Sequence, residues 1–260
     1  MPFVCFASPK GGVGKTTLTA NMGVALQRLG WHVLAIDFDL QNALRYHFEL
    51  PPGEWRGIAS ETDRQRDWTD LIVETRSGMM LIPFGAIPAA AGMAMTAYAS
   101  THPGWVKRQL TPFLEYDDLV VVADMPPGPS PYLAELGPVA DLALAVLLAD
   151  AASLTLLPKI RSGESFLDLQ GRRGDRVGYV LNQVDPRRQL GRDVLALSQQ
   201  VLGDELCGIV HQDEAVAEAL ACRLTVLEYA PDSVASHDLM AIAQRLDRRL
   251  KLPETREPRH

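Results

Sequence analysis

The stretch Ser8-Pro9-Lys10-Gly11-Gly12-Val13-Gly14-Lys15-Thr16-Thr17 decides the fold. It follows a short apolar run, Phe3 to Ala7, that reads as a buried strand. It precedes Thr16 to Leu29, where Leu18, Met22, Ala25, Leu26 and Leu29 recur at helical spacing. Strand, glycine-rich loop and helix in that order are the context a phosphate-binding loop requires. Gly11, Gly12 and Gly14 let the backbone turn its N–H groups inward with no side chain in the way. The first turn of the helix adds orphan N–H groups and the positive end of its dipole. In such a loop Lys15 reaches the β- and γ-phosphates, and the Thr16 hydroxyl takes a place on Mg²⁺.

Working outward, the chain has 260 residues, 47% of them hydrophobic, enough for one sizeable α/β domain. A formal charge of −7 argues against wholesale binding to nucleic acid, though a local patch could still bind it. Cys5, Cys207 and Cys222 are too few and too scattered for a disulfide framework or a zinc site, and fit reduced thiols of a cytoplasmic protein. No basic lead precedes the first apolar run, so a cleaved leader is not expected. The longest apolar tract, Leu142 to Leu157, is broken by Asp150 and is too short to span a membrane.

Further strands are expected at Trp31 to Ile36, Met79 to Phe84, Leu119 to Asp124, Leu142 to Ala149 and Arg176 to Asn182, with a short last one at Glu205 to Val210. Helices are expected up to Tyr98, from Trp105 to Tyr116, from Asp213 to Ala221 and from Ser236 to Leu250. Pro51 to Asp70 reads as an irregular insertion over the surface, and residues 253–260 as a disordered tail behind a 1–252 domain. The βα alternation implies a mostly parallel sheet with helices on both faces, the three-layer P-loop NTPase fold. The phosphate loop, Asp37, Asp39 and Asp124 all follow strand ends and converge on one edge. Asp124, after four apolar strand residues, is placed like a Walker B carboxylate, able to hold Mg²⁺ through a water.

Pro9 stands where the first loop glycine is usual, and Lys10 just before the glycines is a second lysine. This Lys-Gly-Gly-Val-Gly-Lys-Thr-Thr form resembles the deviant Walker A loop of the MinD/ParA class of ATPases. The resemblance implies ATP with Mg²⁺ as ligands, bound by Lys10, Gly11, Gly12, Val13, Gly14, Lys15, Thr16 and Thr17, and an ATPase that is slow without a partner. It makes Lys10 a charge that reaches the other subunit's nucleotide in an ATP-bound homodimer, comparable to an arginine finger. Asp37 and Asp39 resemble the first switch, with Asp37 supporting the Mg²⁺ shell and Asp39 orienting the attacking water. Gly128, in Asp124-Met-Pro-Pro-Gly128, resembles the second switch, whose N–H senses the γ-phosphate. Asn182 resembles the asparagine that bonds adenine, with Val210 and His211 beside the purine. Asn182-Gln-Val-Asp185 also echoes the guanine-reading Asn-Lys-x-Asp of GTPases, but lacks the lysine.

Two stretches narrow the resemblance: Leu81 to Gly85, and His211 to Leu220 followed by Val226 to Tyr229. They are similar to the MinD-like cellulose-biosynthesis family, BcsQ (YhjQ). That implies a cytoplasmic dimer that assembles, localises or activates the cellulose synthase complex at the inner membrane. Two other readings stay open. One is a ParA-like partition ATPase binding DNA without sequence preference, through Lys159, Arg161, Arg172, Arg173, Arg176, Arg187, Arg188 and Arg192. The other is a MinD-like membrane-surface regulator using the stripe Leu239, Ile242, Leu246 and Leu250; that stripe lacks a large aromatic and reads better as packing on the domain.

Overall fold

The structure, a computed structural model, describes residues 1–50, 56–60, 67–116, 118–162 and 176–251. Its strands are β1 (Phe3–Ala7), β2 (His32–Asp37), β3 (Val73–Glu74), β4 (Met80–Ile82), β5 (Leu119–Asp124), β6 (Leu142–Leu148), β7 (Val177–Val184) and β8 (Leu206–His211). Its helices are α1 (Lys15–Arg28), α2 (Ala89–Thr101), α3 (Trp105–Leu110), α4 (Pro131–Leu136), α5 (Ala151–Ser162), α6 (Gln189–Leu202), α7 (Glu214–Ala221), α8 (Val226–Tyr229) and α9 (Val234–Lys251). They form one eight-stranded sheet in the order β3-β4-β2-β5-β1-β6-β7-β8. Only the β3–β4 pair is antiparallel.

β1 lies mid-sheet, every residue buried, because Phe-Val-Cys-Phe-Ala offers apolar side chains to both faces. Val4 and Phe6 enter a core closed by α1 through Leu18 and Met22 and by α9 through Leu239, Ile242 and Leu246. Phe3, Cys5 and Ala7 enter the opposite core, closed by Met95, Trp105, Leu133, Leu157 and Val194 from α2 to α6. This is the expected three-layer arrangement, and it brings the carboxyl ends of β1, β2 and β5 side by side. Phe6 is in register with Asp124, and so is Asp37.

Departures from the sequence reading have local causes. The strand expected to run to Phe84 stops at Ile82, since Pro83 has no N–H to donate. The helix expected to reach Tyr116 ends at Leu110, and the chain continues as a 3₁₀ turn with Pro112 in its first positions. β3, two residues long, and α8, one turn, were too short to carry a periodic signal. The insertion does not simply cross the surface: Ile58 and Trp68 are buried in the core. Ile58 and Ala59 donate their N–H groups to the carbonyls of Pro83 and Phe84, so this segment finishes the edge that β4 abandons. Gly57 permits the approach, because a Cβ there would meet the backbone of Pro83 and Gly85. The expected tail lies outside the described residues.

Candidate nucleotide-binding site

The loop between β1 and α1 is an open cradle. Gly12 and Gly14 have φ of 76° and 83°, a left-handed backbone that favours glycine. A Cβ added at Gly11 or Gly12 would meet nothing within 4 Å, whereas one at Gly14 would strike the Asn182 amide. No side chain caps the start of α1 and no acidic residue sits in its first turn. Those N–H groups and the dipole behind them are therefore left for an anion. Asn182, on β7, donates its Nδ2 to the Val13 carbonyl at 2.8 Å, fastening the loop from the neighbouring strand. The Ser8 hydroxyl, 1% exposed, has no partner among the described residues.

Lys15 is buried, and its Nζ lies 2.5 Å from Asp124 Oδ1 and 4.0 Å from Asp39 Oδ2. The Thr16 hydroxyl donates to Asp124 Oδ2 at 2.7 Å, and Thr19 donates to Oδ1 at 3.2 Å. Asp37 accepts from the backbone N–H groups of Asp39 at 2.9 Å and Leu44 at 3.0 Å, which folds the following loop around it. Asp39 accepts from Gln41 N–H through Oδ1 at 3.0 Å.

Burial pushes the Asp37 carboxyl well above the usual range, and the neighbouring Asp124 charge adds to this against its backbone hydrogen bonds. Burial also raises Asp124, although Lys15 and Thr16 oppose it. Three carboxylates thus share one ammonium at the strand ends, a surplus of negative charge that suits a divalent cation. Among the described residues no group of three or more His, Cys, Asp or Glu is placed to hold a metal ion alone. The donor set fits Mg²⁺ carried in with a phosphate, held by the Thr16 hydroxyl, with Asp124 and Asp37 behind it.

Two expected residues have local partners here. The Gly128 N–H donates to the Ser8 carbonyl at 2.8 Å, and Gly128 has a φ of 72°. Contact with a γ-phosphate would require that bond to be exchanged. Lys10 does not enter its own cradle; its Nζ pairs with Asp150 Oδ2 at 2.6 Å.

On the other side of the cradle lies a cavity of about 300 Å³. Gly14, Thr17, Leu18, Asn182, Val210 and His211 are among the residues that line it. Thr17, Asn182, Val210 and His211 thus line one cavity. Asp185 is elsewhere engaged: it accepts from Arg187 Nε at 2.9 Å and Nη2 at 3.2 Å, and those bonds hold its carboxyl below the usual range.

Sequence reasoning missed Asp150 and Asp238. Asp150 lies two residues beyond the end of β6, and Asp124 is the last residue of β5, so the same strand-end rule could have flagged it. Asp238 lies inside amphipathic α9, where one acidic residue carries no signal. In the basic region, Arg187 is bound to Asp185 and Arg192 to the carbonyls of Pro186 and Arg187, while Arg172 and Arg173 lie outside the described residues. The stripe Leu239, Ile242, Leu246 and Leu250 is buried against the sheet. Among the described residues no helix is long and apolar enough to cross a membrane.

A parallel sheet with β1 at its centre, a two-lysine phosphate loop and strand-end aspartates define a P-loop ATPase of the MinD/ParA type. The family model described as cellulose biosynthesis protein BcsQ matches residues 1–246, and the chain belongs to that family. It is 29% identical over 236 residues to the cellulose biosynthesis protein BcsQ of Salmonella typhi, covering 90% of this chain and 89% of that protein. It is 28% identical over 238 residues to the Escherichia coli K12 protein of that name, covering 90% and 89%. Its fold is similar to the septum site-determining protein MinD complexed with Mg-ADP from Pyrococcus horikoshii, with a TM-score of 0.74 at 21% identity over 95% of this chain and 96% of that one.

Proposed function

We propose that this protein binds ATP with Mg²⁺ in the cradle, dimerises through it, hydrolyses it slowly, and in the ATP-bound dimer recruits or positions components of the cellulose synthase complex. The uncapped start of α1, the buried Lys15 and the adjacent cavity support a nucleoside triphosphate. Relatives named ATP-binding proteins in Methanocaldococcus jannaschii, 28% and 27% identical to this chain, favour ATP. The family description, cellulose biosynthesis, supports the destination.

Lys10 carries the dimer reading. Its amine stands outside its own phosphate loop, 38% exposed, while Lys15 already serves the phosphates from within. A charge so placed is available to the nucleotide of a second copy. ATP then favours the dimer by its extra affinity for a cage that only two subunits complete. When bound, Mg²⁺ neutralises charge on the phosphates. Asp39 holds the attacking water in line with the γ-phosphorus; the water oxygen bonds to phosphorus as the bond to the β-phosphate oxygen breaks, and the water's proton passes through Asp39 to an oxygen of the released phosphate. Release of phosphate removes the trans contact and the pair separates.

The test of the whole reading is capture from the native cell with the Asp39→Ala variant, which should bind ATP without turning it over. Recovery of cellulose synthase components is the expected result. Recovery of DNA that is lost steeply with added salt would instead favour the partition reading.

A further inference from the structure

We propose that His211 and Asp238 form a base-reading pair that makes the cavity selective for a purine carrying a 6-amino group. This rests on the nucleotide reading above and goes beyond it, since neither the phosphate loop nor the switch residues distinguish one base from another.

One oxygen of Asp238 does two things. Its Oδ2 accepts from the His211 backbone N–H at 2.8 Å and lies 2.8 Å from His211 Nδ1. The carboxylate therefore grips the same residue by main chain and ring, and fixes both position and orientation of the imidazole. A carboxylate can only accept, so Nδ1 carries a ring proton, and the tautomer with that single proton keeps its lone pair on Nε2. His211 lines the cavity beside Asn182, and Leu239, the neighbour of Asp238 on α9, lines it too.

The other fixed polar group has the same sense. Asn182 uses its Nδ2 on the Val13 carbonyl, so its Oδ1 is the atom left to face a ligand. The cavity thus offers two fixed acceptors. An exocyclic amine satisfies them, and a 6-keto oxygen in the same place would set lone pair against lone pair. Gln183 and Gln212 also line the cavity, but they are solvent-exposed and their amides can turn to suit either edge. A guanine N1–H and 2-amino group would need a free, fixed carboxylate: Asp185 is bound by Arg187 and does not line the cavity, and of the two carboxylates that do, Asp213 spends its oxygens on the N–H groups of Ala215 and Ala235 and Glu214 is solvent-exposed. Asp238 is a positioning residue here, acting through His211.

The experiment measures equilibrium binding of ATP, GTP and purine riboside triphosphate, which lacks only the 6-amino group, to the full chain with Mg²⁺. Wild type should prefer ATP over purine riboside triphosphate by up to about a hundredfold, the discrimination of two well-placed hydrogen bonds. His211→Phe and Asp238→Ala should reduce that ratio about tenfold, to the share that Asn182 supplies, while still binding the triphosphates. Asp238→Asn, whose carbonyl oxygen can accept from both His211 groups, should restore it. A generally weakened fold would lower all three affinities together and leave the ratio alone. An unchanged ratio in His211→Phe, a ring of similar size, overturns the proposal even if Asp238→Ala fails to fold. Wild type binding all three equally overturns it while leaving the nucleotide reading intact; wild type binding none overturns both.

Discussion

Asp150 divides its two oxygens between Lys10 and the start of α5. Oδ2 takes the Lys10 ammonium at 2.6 Å, and Oδ1 accepts from both the N–H and the hydroxyl of Ser153 at 2.9 Å. Burial would raise the Asp150 carboxyl, but the hydrogen bonds from Lys10 and Ser153 outweigh it and hold it below the usual range. In the lone subunit, then, the lysine assigned to the partner's nucleotide is parked on its own chain.

Weakening the parking contact should favour the dimer. Asp150→Asn keeps an oxygen to cap α5 and loses the charge that holds Lys10. Because the pair is more than a third exposed on both sides, it contributes at most about 1 kcal/mol. Each of the two subunits gives up one such pair, so the ATP-dependent dimer should tighten by no more than about thirtyfold, read by sedimentation at several protein concentrations. A weaker dimer would mean that Asp150 serves the pair rather than the lone subunit.

Lys15→Ala should damage the fold as well as the ligand site. Lys15 is 6% exposed and Asp124 is fully buried, so the substitution leaves a carboxylate without its countercharge. Breaking such a pair costs about 3–5 kcal/mol. Since burial already raises the Asp124 carboxyl, the variant relieves part of that loss by taking up a proton. A raised carboxyl holds its proton above the ordinary value, so the variant's stability falls as pH rises. Urea unfolding at pH 6 and pH 8 should show a larger deficit at pH 8, and ATP should restore none of it. Equal deficits at both pH values would contradict the assignment.

The phosphate loop, the parallel sheet and the strand-end aspartates were legible because each is a local signal: glycine spacing, an unbroken apolar run, a carboxylate at a strand end. What escaped the sequence depends on contacts far apart in the chain. Lys10 and Asp150 are 140 positions apart, and Asn182 meets Val13 across 169. Nothing in either neighbourhood announces the meeting. The burial of Ile58 and Trp68 escaped for a related reason, since a proline- and arginine-rich stretch conceals the few residues that plug the edge left by Pro83.

His47 should make the fold sensitive to acid. It ends the 3₁₀ turn Leu44–His47, ten residues beyond Asp37, and burial lowers its pKa from 6.5 to about 4, against a hydrogen bond to the Leu224 backbone. The unfolded chain binds this proton near 6.5 and the folded one does not until about 4. The stabilisation is therefore full above 6.5 and is lost as pH falls toward 4. Between pH 6.5 and pH 5 wild type should lose up to about 2 kcal/mol that a His47→Phe variant does not lose. Parallel pH profiles for the two proteins would show that His47 is not held neutral.

The central claim is that a second copy's Lys10 closes the nucleotide site, and one measurement addresses it most directly: the mass in solution of Asp39→Ala with ATP and Mg²⁺, with and without Lys10→Ala. Asp39→Ala alone should be a dimer, and adding Lys10→Ala should give a monomer that still binds ATP. A stable ATP-bound dimer of the double variant would contradict it.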